Sequence, residues 1–239
     1  MTSLKSPFLL SSFLFFVFAA SAQTAEEYVQ QGLAKYNAGQ YADAIALFNK
    51  AVALKRDDQA AIFNRGLAKY KIGDSTAEAD FSRAIVLNPA LAQAYVVRGQ
   101  IFQDKKDYRG AFQDFDKAVQ LKPDYFPGYL GRGNIRMLLK DYQGAIADEA
   151  KVISLDPKHP GAYLIKGTSQ YAMLDYTAAI GTLDTCIGFN DAQYLGVAYR
   201  VRGLSEVHIG KQEAACKDFD RAIGAGYKKA AQDKADYCH

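Results

Sequence analysis

The sequence predicts an all-α fold, a solenoid of about six helix–turn–helix units closed by a C-terminal helix. Three observations predict it. A glycine recurs at Gly32, Gly66, Gly99, Gly133, Gly167 and Gly203, in steps of 34, 33, 34, 34 and 36 residues. Small residues follow in two rows: Ala44, Ala77, Ala111, Ala145, Ala179 and Ala215, then Ala51, Ala84, Ala118, Val152, Cys186 and Ala222. Between the rows stands a larger residue: Phe48, Phe81, Phe115, Glu149, Leu183 and Phe219. Self-similarity at this period marks stacked units, none of which buries its own apolar face alone.

The chain of 239 residues opens with a segment unlike the rest. Lys5 precedes an apolar run over residues 8–20, and Ala20, Ser21 and Ala22 follow as a small-x-small triplet. That order is expected of a secretory signal peptide, residues 1–22, cut after Ala22. The run is shorter than the roughly 20 residues of a spanning helix, so no membrane span is expected in the mature chain. Export across the inner membrane is expected, to the periplasm or, alternatively, to the extracellular medium.

The array then runs over residues 23–227, with units at about 25–58, 59–91, 92–125, 126–159, 160–193 and 196–227. The third unit is the clearest. Its first helix carries Tyr95, Gly99 and Phe102 at spacings of four and three, and the chain breaks around residues 105–107. The second carries Ala111, Phe115 and Ala118 at the same spacings, and Pro123 ends it, as Pro89 and Pro157 end the second and fourth units. Glycine gives up about 1 kcal/mol of helix propensity relative to alanine. Close approach of the two backbones offsets that loss, and aromatic rings fill the wider gaps.

Departures mark individual joints. The second unit is one residue short and has Gly73, Asp74 and Ser75 where others have Tyr41, Tyr108, Tyr142 or Tyr176. The fourth places Glu149 in the aromatic slot, with no partner evident from the sequence. The 36-residue step is expected to lengthen a turn at residues 193–195. No Ser-, Pro- or Gly-rich linker divides the array, so one continuous solenoid is expected.

Charges follow the same period. Arg65, Arg98, Arg132 and Arg202 precede the glycine in units two, three, four and six, and Asp80, Asp114, Asp148 and Asp218 precede the aromatic slot in the same four. Both are missing from unit one (Gln31 and Leu47), and unit five has Lys166 and Thr182. Joint presence and joint absence point to an Arg–Asp pair inside each unit. Pairing each aspartate to the next unit's arginine fits less well, as does a row of arginines for binding phosphate.

A net charge of +3 without a Lys/Arg block argues against a nucleic-acid footprint. No phosphate loop, nucleophile elbow or HExxH is present, so no enzyme, no catalytic residues and no cofactor are expected. His159, His208 and His239 lie far apart and no CxxC occurs, so no metal site is expected.

This Gly…Tyr…Ala…Phe…Ala…Pro pattern resembles the tetratricopeptide repeat, over essentially all of residues 25–227. The resemblance implies a right-handed superhelix whose concave groove is lined by the first helix of each unit. Carried over position by position, the lining is Val29, Leu33, Tyr36, Phe63, Leu67, Tyr70, Val96, Gln100 and Gln103, then Leu130, Asn134, Met137, Leu164, Thr168, Tyr171, Arg200, Leu204 and His208. Tyr36, Tyr70 and Tyr171 also read as residues that close one unit on the next. Chaperone-binding members of the family hold a carboxylate with Lys, Asn and Arg at these inner positions. Here Val, Leu, Phe and Tyr dominate, which suits a peptide or helix of a partner protein instead. The implied role is a scaffold of the bacterial envelope. The alternatives are a carrier for a glycan or lipid, and an accessory subunit of an enzyme.

Such arrays carry a terminal solvating helix, here expected at 228–239 with Ala231, Ala235 and Cys238 on its inner face. Lying antiparallel to the last repeat helix, it would bring Cys238 to Cys216, and a disulfide between them is expected in an oxidising compartment. Cys186, in a small-residue slot, is expected as a buried thiol.

Overall fold

The computed structural model describes residues 23–238, and the leader expected at residues 1–22 lies outside them. The described residues form thirteen helices and no strand. They pair as α1 (Ala25–Asn37) with α2 (Tyr41–Leu54), α3 (Gln59–Lys71) with α4 (Ala77–Leu87), and α5 (Ala92–Asp104) with α6 (Tyr108–Leu121). The series continues with α7 (Phe126–Leu138) and α8 (Tyr142–Leu155), α9 (Pro160–Ala172) and α10 (Tyr176–Gly188), and α11 (Ala192–His208) and α12 (Gln212–Gly224). Last comes α13 (Ala230–Tyr237). The fold is an all-α repeat solenoid.

Local chemistry sets the helix ends. Thr24 and Glu27 form a capping box at the start of α1, satisfying two backbone donors reciprocally. Asp107, Asp141 and Asp175 repeat at the period of the array, each accepting from a backbone N–H in the first turn of α6, α8 and α10. The preceding turn needs a left-handed residue: Gly39, Gly73 and Gly210 supply it in three units, and Lys106, Lys140 and Leu174 adopt φ of 61°, 66° and 66° in the others. α4, α6 and α8 each stop two residues before a proline.

The period carries the core. Ala44, Ala111, Ala145, Ala179 and Ala215 are fully buried, and so are Phe48, Phe81 and Phe219 in the larger slot. The glycine and the ring fit each other: a Cβ on Gly32 would lie 2.6 Å from the Phe48 ring. Each helix packs on the next, and α1–α3, α5–α7, α7–α9 and α9–α11 also touch. No comparable contact joins the even-numbered helices among the described residues. The odd-numbered helices therefore line the inside of the curve.

Two expectations about elements need correction. Residues 193–195 do not lengthen a turn: they are the first turn of α11, which has 17 residues where the other first helices have 13. Asp191 caps that added turn by accepting from the Gln193 N–H. The two extra residues, together with one fewer in α10 than in α8 and one fewer in the joint before α11 than in that before α9, make up the four by which the helix is longer. The C-terminal helix begins at Ala230 and turns a different face inward. Ala230 and Asp233 are buried, and Ala231 and Ala235 are exposed. The Arg200 guanidinium donates to both oxygens of Asp233, at 2.5 and 3.1 Å, and this fork sets the rotation of α13. Cys216, in the first turns of α12, is bridged to Cys238 beyond the end of α13 with a Cα–Cα distance of 5.8 Å, so the two helices run antiparallel.

Candidate partner-binding groove

The concave side is not uniform along the array. At its N-terminal end the lining positions are used for packing: Val29 is buried with Phe48, and Leu33 packs on the same cluster. The Tyr36 ring meets Tyr41 edge-on at 5.3 Å, and Phe63 meets Phe81 likewise at 5.7 Å. Leu67 and Tyr70 pack on the cluster around Phe81 and Tyr95, of which Val96 is a buried member. At the C-terminal end Leu204 is buried, Arg200 is held by Asp233, and Tyr171 packs beside Tyr176. His208 stacks on Tyr176 at 4.3 Å.

The middle is open. Gln100 and Gln103 from α5, Leu130, Asn134 and Met137 from α7, and Leu164 and Thr168 from α9 converge on one cavity of about 420 Å³. Eight further residues line it: Phe115, Pro127, Gly131, His159, Gly161, Ile165, Tyr194 and Val197. Pro127, Gly131, Gly161 and Ile165 stand three or four residues from predicted lining positions on the same helices, a spacing that could have found them. Tyr194 comes from the added turn of α11, and the 36-residue step was its signal.

Backbone and charge shape this cavity. Gly131 has no Cβ because the Phe115 ring occupies that place. A Cβ on Gly161 would lie 3.2 Å from the Tyr194 hydroxyl, so a bare backbone lets the tyrosine close in. His159 starts α9, its Nδ1 accepting from the Ala162 N–H at 3.3 Å, and its ring lies against Phe126. None of the fifteen lining residues is Lys, Arg, Asp or Glu.

The arginines are occupied elsewhere. Arg65, Arg98, Arg132 and Arg202 each make a two-pronged contact with Asp80, Asp114, Asp148 and Asp218 of their own unit, at 2.5–3.0 Å. The remaining guanidinium nitrogen reaches the preceding unit, at Asn49, Ser82, Asp116 and Asp184 in turn. The sequence pointed to the first contact and not the second. The Asp114 hydrogen bonds hold the Arg98 guanidinium above its usual range.

Glu149 is fully buried, and neither carboxyl oxygen has a hydrogen-bond partner among the described residues. Gly133 leaves the room that Oε1 fills. Burial, with Asp148 adding to it, pushes the carboxyl up to about 9. Cys186 is a buried free thiol that burial raises to about 11, its Sγ donating to the Pro160 carbonyl. Among the described residues no three His, Cys, Asp or Glu gather as a metal site, and no helix is long and apolar enough to cross a membrane.

Comparison with known proteins places this geometry. Residues 29–86 and 92–125 each match a family model described as Tetratricopeptide repeat. No curated protein matches by sequence. Among solved structures, pilF of Pseudomonas aeruginosa superposes with a TM-score of 0.72 at 17% identity, over 88% of this chain and 97% of that one. YrrB, described as having an unusual peptide-binding site, gives 0.67 at 18% identity over 79% and 97%. MamA gives 0.61 at 23% identity over 70% and 96%. At these identities the likeness speaks for the fold.

Proposed function

Because the chain belongs to the tetratricopeptide-repeat proteins, we propose that it is a non-enzymatic scaffold holding a segment of another protein in the concave groove of units three to five. One observation carries this reading: seven lining positions from three successive first helices converge on a single open cavity. Toward both ends of the array the corresponding positions pack on neighbouring side chains while staying mostly half-buried, and Tyr70 lines a separate cavity of about 430 Å³ with the turn after α3. The peptide-binding site in the description of YrrB, which shares the fold, lends support. We place the protein in the cell envelope, on the leader read over residues 1–22 and on the bridge between Cys216 and Cys238, a bond that persists in oxidising compartments.

Crosslinked pull-down from an envelope fraction tests the proposal, comparing the wild-type chain with Leu130→Glu and Leu164→Glu. Both leucines are half-buried and reach the cavity. A partner in stoichiometric amount should lose about tenfold or more in retention, as expected when an apolar anchor is replaced by a charge. The helical circular dichroism signal should not change. Equal retention by both variants would remove the groove from the interaction. Retention that depends on added glycan or lipid would assign the chain to a carrier.

A further inference from the structure

Resting on that reading, we infer that the bound segment is extended and uncharged, anchored by one large apolar side chain, with Tyr194 as the residue that sets its size. Charge comes first. Charged residues make up 23% of the chain, yet none lines the cavity. A Lys, Arg, Asp or Glu entering it would leave water and find no counter-charge, whereas an apolar side chain gains from the same transfer.

Size and hydrogen bonding decide the backbone's form. A volume of about 420 Å³ takes one or two side chains. An amphipathic helix would set down a row of anchors at i, i+3, i+4 and i+7. Gln100, Gln103 and Asn134, which carry carboxamides, and Thr168, which carries a hydroxyl, are among the lining residues. Each both donates and accepts, the complement of a peptide backbone that carries N–H and C=O groups free of helical bonds.

Tyr194 forms the wall toward unit six. It exists there because α11 is a turn longer at its start than the other first helices, and it sits close because Gly161 has no side chain. Val197 completes that wall one turn further along α11, and beyond it Arg200 is committed to Asp233.

Panning a phage library of random heptapeptides on the full chain tests this, with Tyr194→Ala and Val197→Phe in parallel. The wild-type pool should be rich in Leu, Ile, Met, Phe or Tyr, with charged residues beside the anchor about fivefold below the starting library. Tyr194→Ala should shift the anchor to larger side chains. Val197→Phe, which narrows the same wall, should shift it to smaller ones, and it serves if the alanine variant does not fold. A wild-type pool as charged as the library overturns this inference and leaves the groove standing. Identical pools from the wild type and the folded variants overturn the role of Tyr194. No enriched pool at all overturns the groove reading as well.

Discussion

Glu149 occupies a slot that a phenylalanine fills in four of the six units, and its state follows from what surrounds it. The charge that adds to its burial is the Asp148 carboxylate, itself held by Arg132 and Arg136. An ionised carboxyl would be buried beside like charge, so the folded chain keeps the proton up to about 9, against an ordinary value of 4.5. The unfolded chain releases that proton near its ordinary value. The contribution of Glu149 to stability is therefore complete below about pH 4 and is lost progressively as pH rises toward about 9. Leu183 fills the same slot in unit five and is fully buried there, so the site accepts leucine. Glu149→Leu should raise stability near neutral pH by about 1–3 kcal/mol and flatten its dependence on pH. Urea unfolding at about pH 5 and about pH 9 reads this directly. Parallel changes in the wild type and the variant would mean that the carboxyl reaches water. The sequence exposed the oddity of a glutamate at this position, but not its protonation, which depends on burial from both flanking helices.

At the level of elements, each arginine joins three helices: its own, the second helix of its unit and the second helix before it. Removing one partner strands the other, because the Asp114 side chain is only 6% exposed. The Arg98→Ala and Asp114→Ala changes should therefore be non-additive, with a coupling of about 1–3 kcal/mol in a double-mutant cycle read from urea midpoints. Additive losses would mean that the contact contributes nothing beyond its two side chains separately. The intra-unit half of this network was legible because Arg and Asp appear and vanish together. The half between units was not: Asn49, Ser82, Asp116 and Asp184 share a position but no common chemistry. α11 and α13 show the same limit. Nothing in a 36-residue step says whether two residues enter a loop or a helix; the Asp191 cap and the packing of Tyr194 decide. The face of α13 was misread because its small residues suggested burial of Ala231 and Ala235, whereas the buried acid Asp233 answers Arg200 from a different helix.

For the whole molecule, the number of units, their boundaries and their core were readable because every unit repeats the same packing solution. The open part of the groove was readable only in its middle, since the same position is a packing residue or a cavity wall according to the units on either side. The same nearest-neighbour logic governs α12, whose outer face is covered among the described residues by α13 and not by another repeat. α13 takes that place through the Arg200–Asp233 and Lys234–Asp220 pairs, a Gln212 bond to the Tyr237 carbonyl, and Tyr237 stacked on Phe219. The Cys216–Cys238 bridge closes a loop of 22 residues over these contacts, a constraint of about 3 kcal/mol on the unfolded chain. In a solenoid that stabilisation stays close to where it is applied. Reduction, or Cys216→Ser, should thus lower amide exchange protection in α11, α12 and α13 by up to about 10²-fold, while protection in α1 to α4 stays as it was. Equal loss along the whole chain would show that the array unfolds as one cooperative body, and no loss would show that the ion pairs and Tyr237 hold the cap without the bridge.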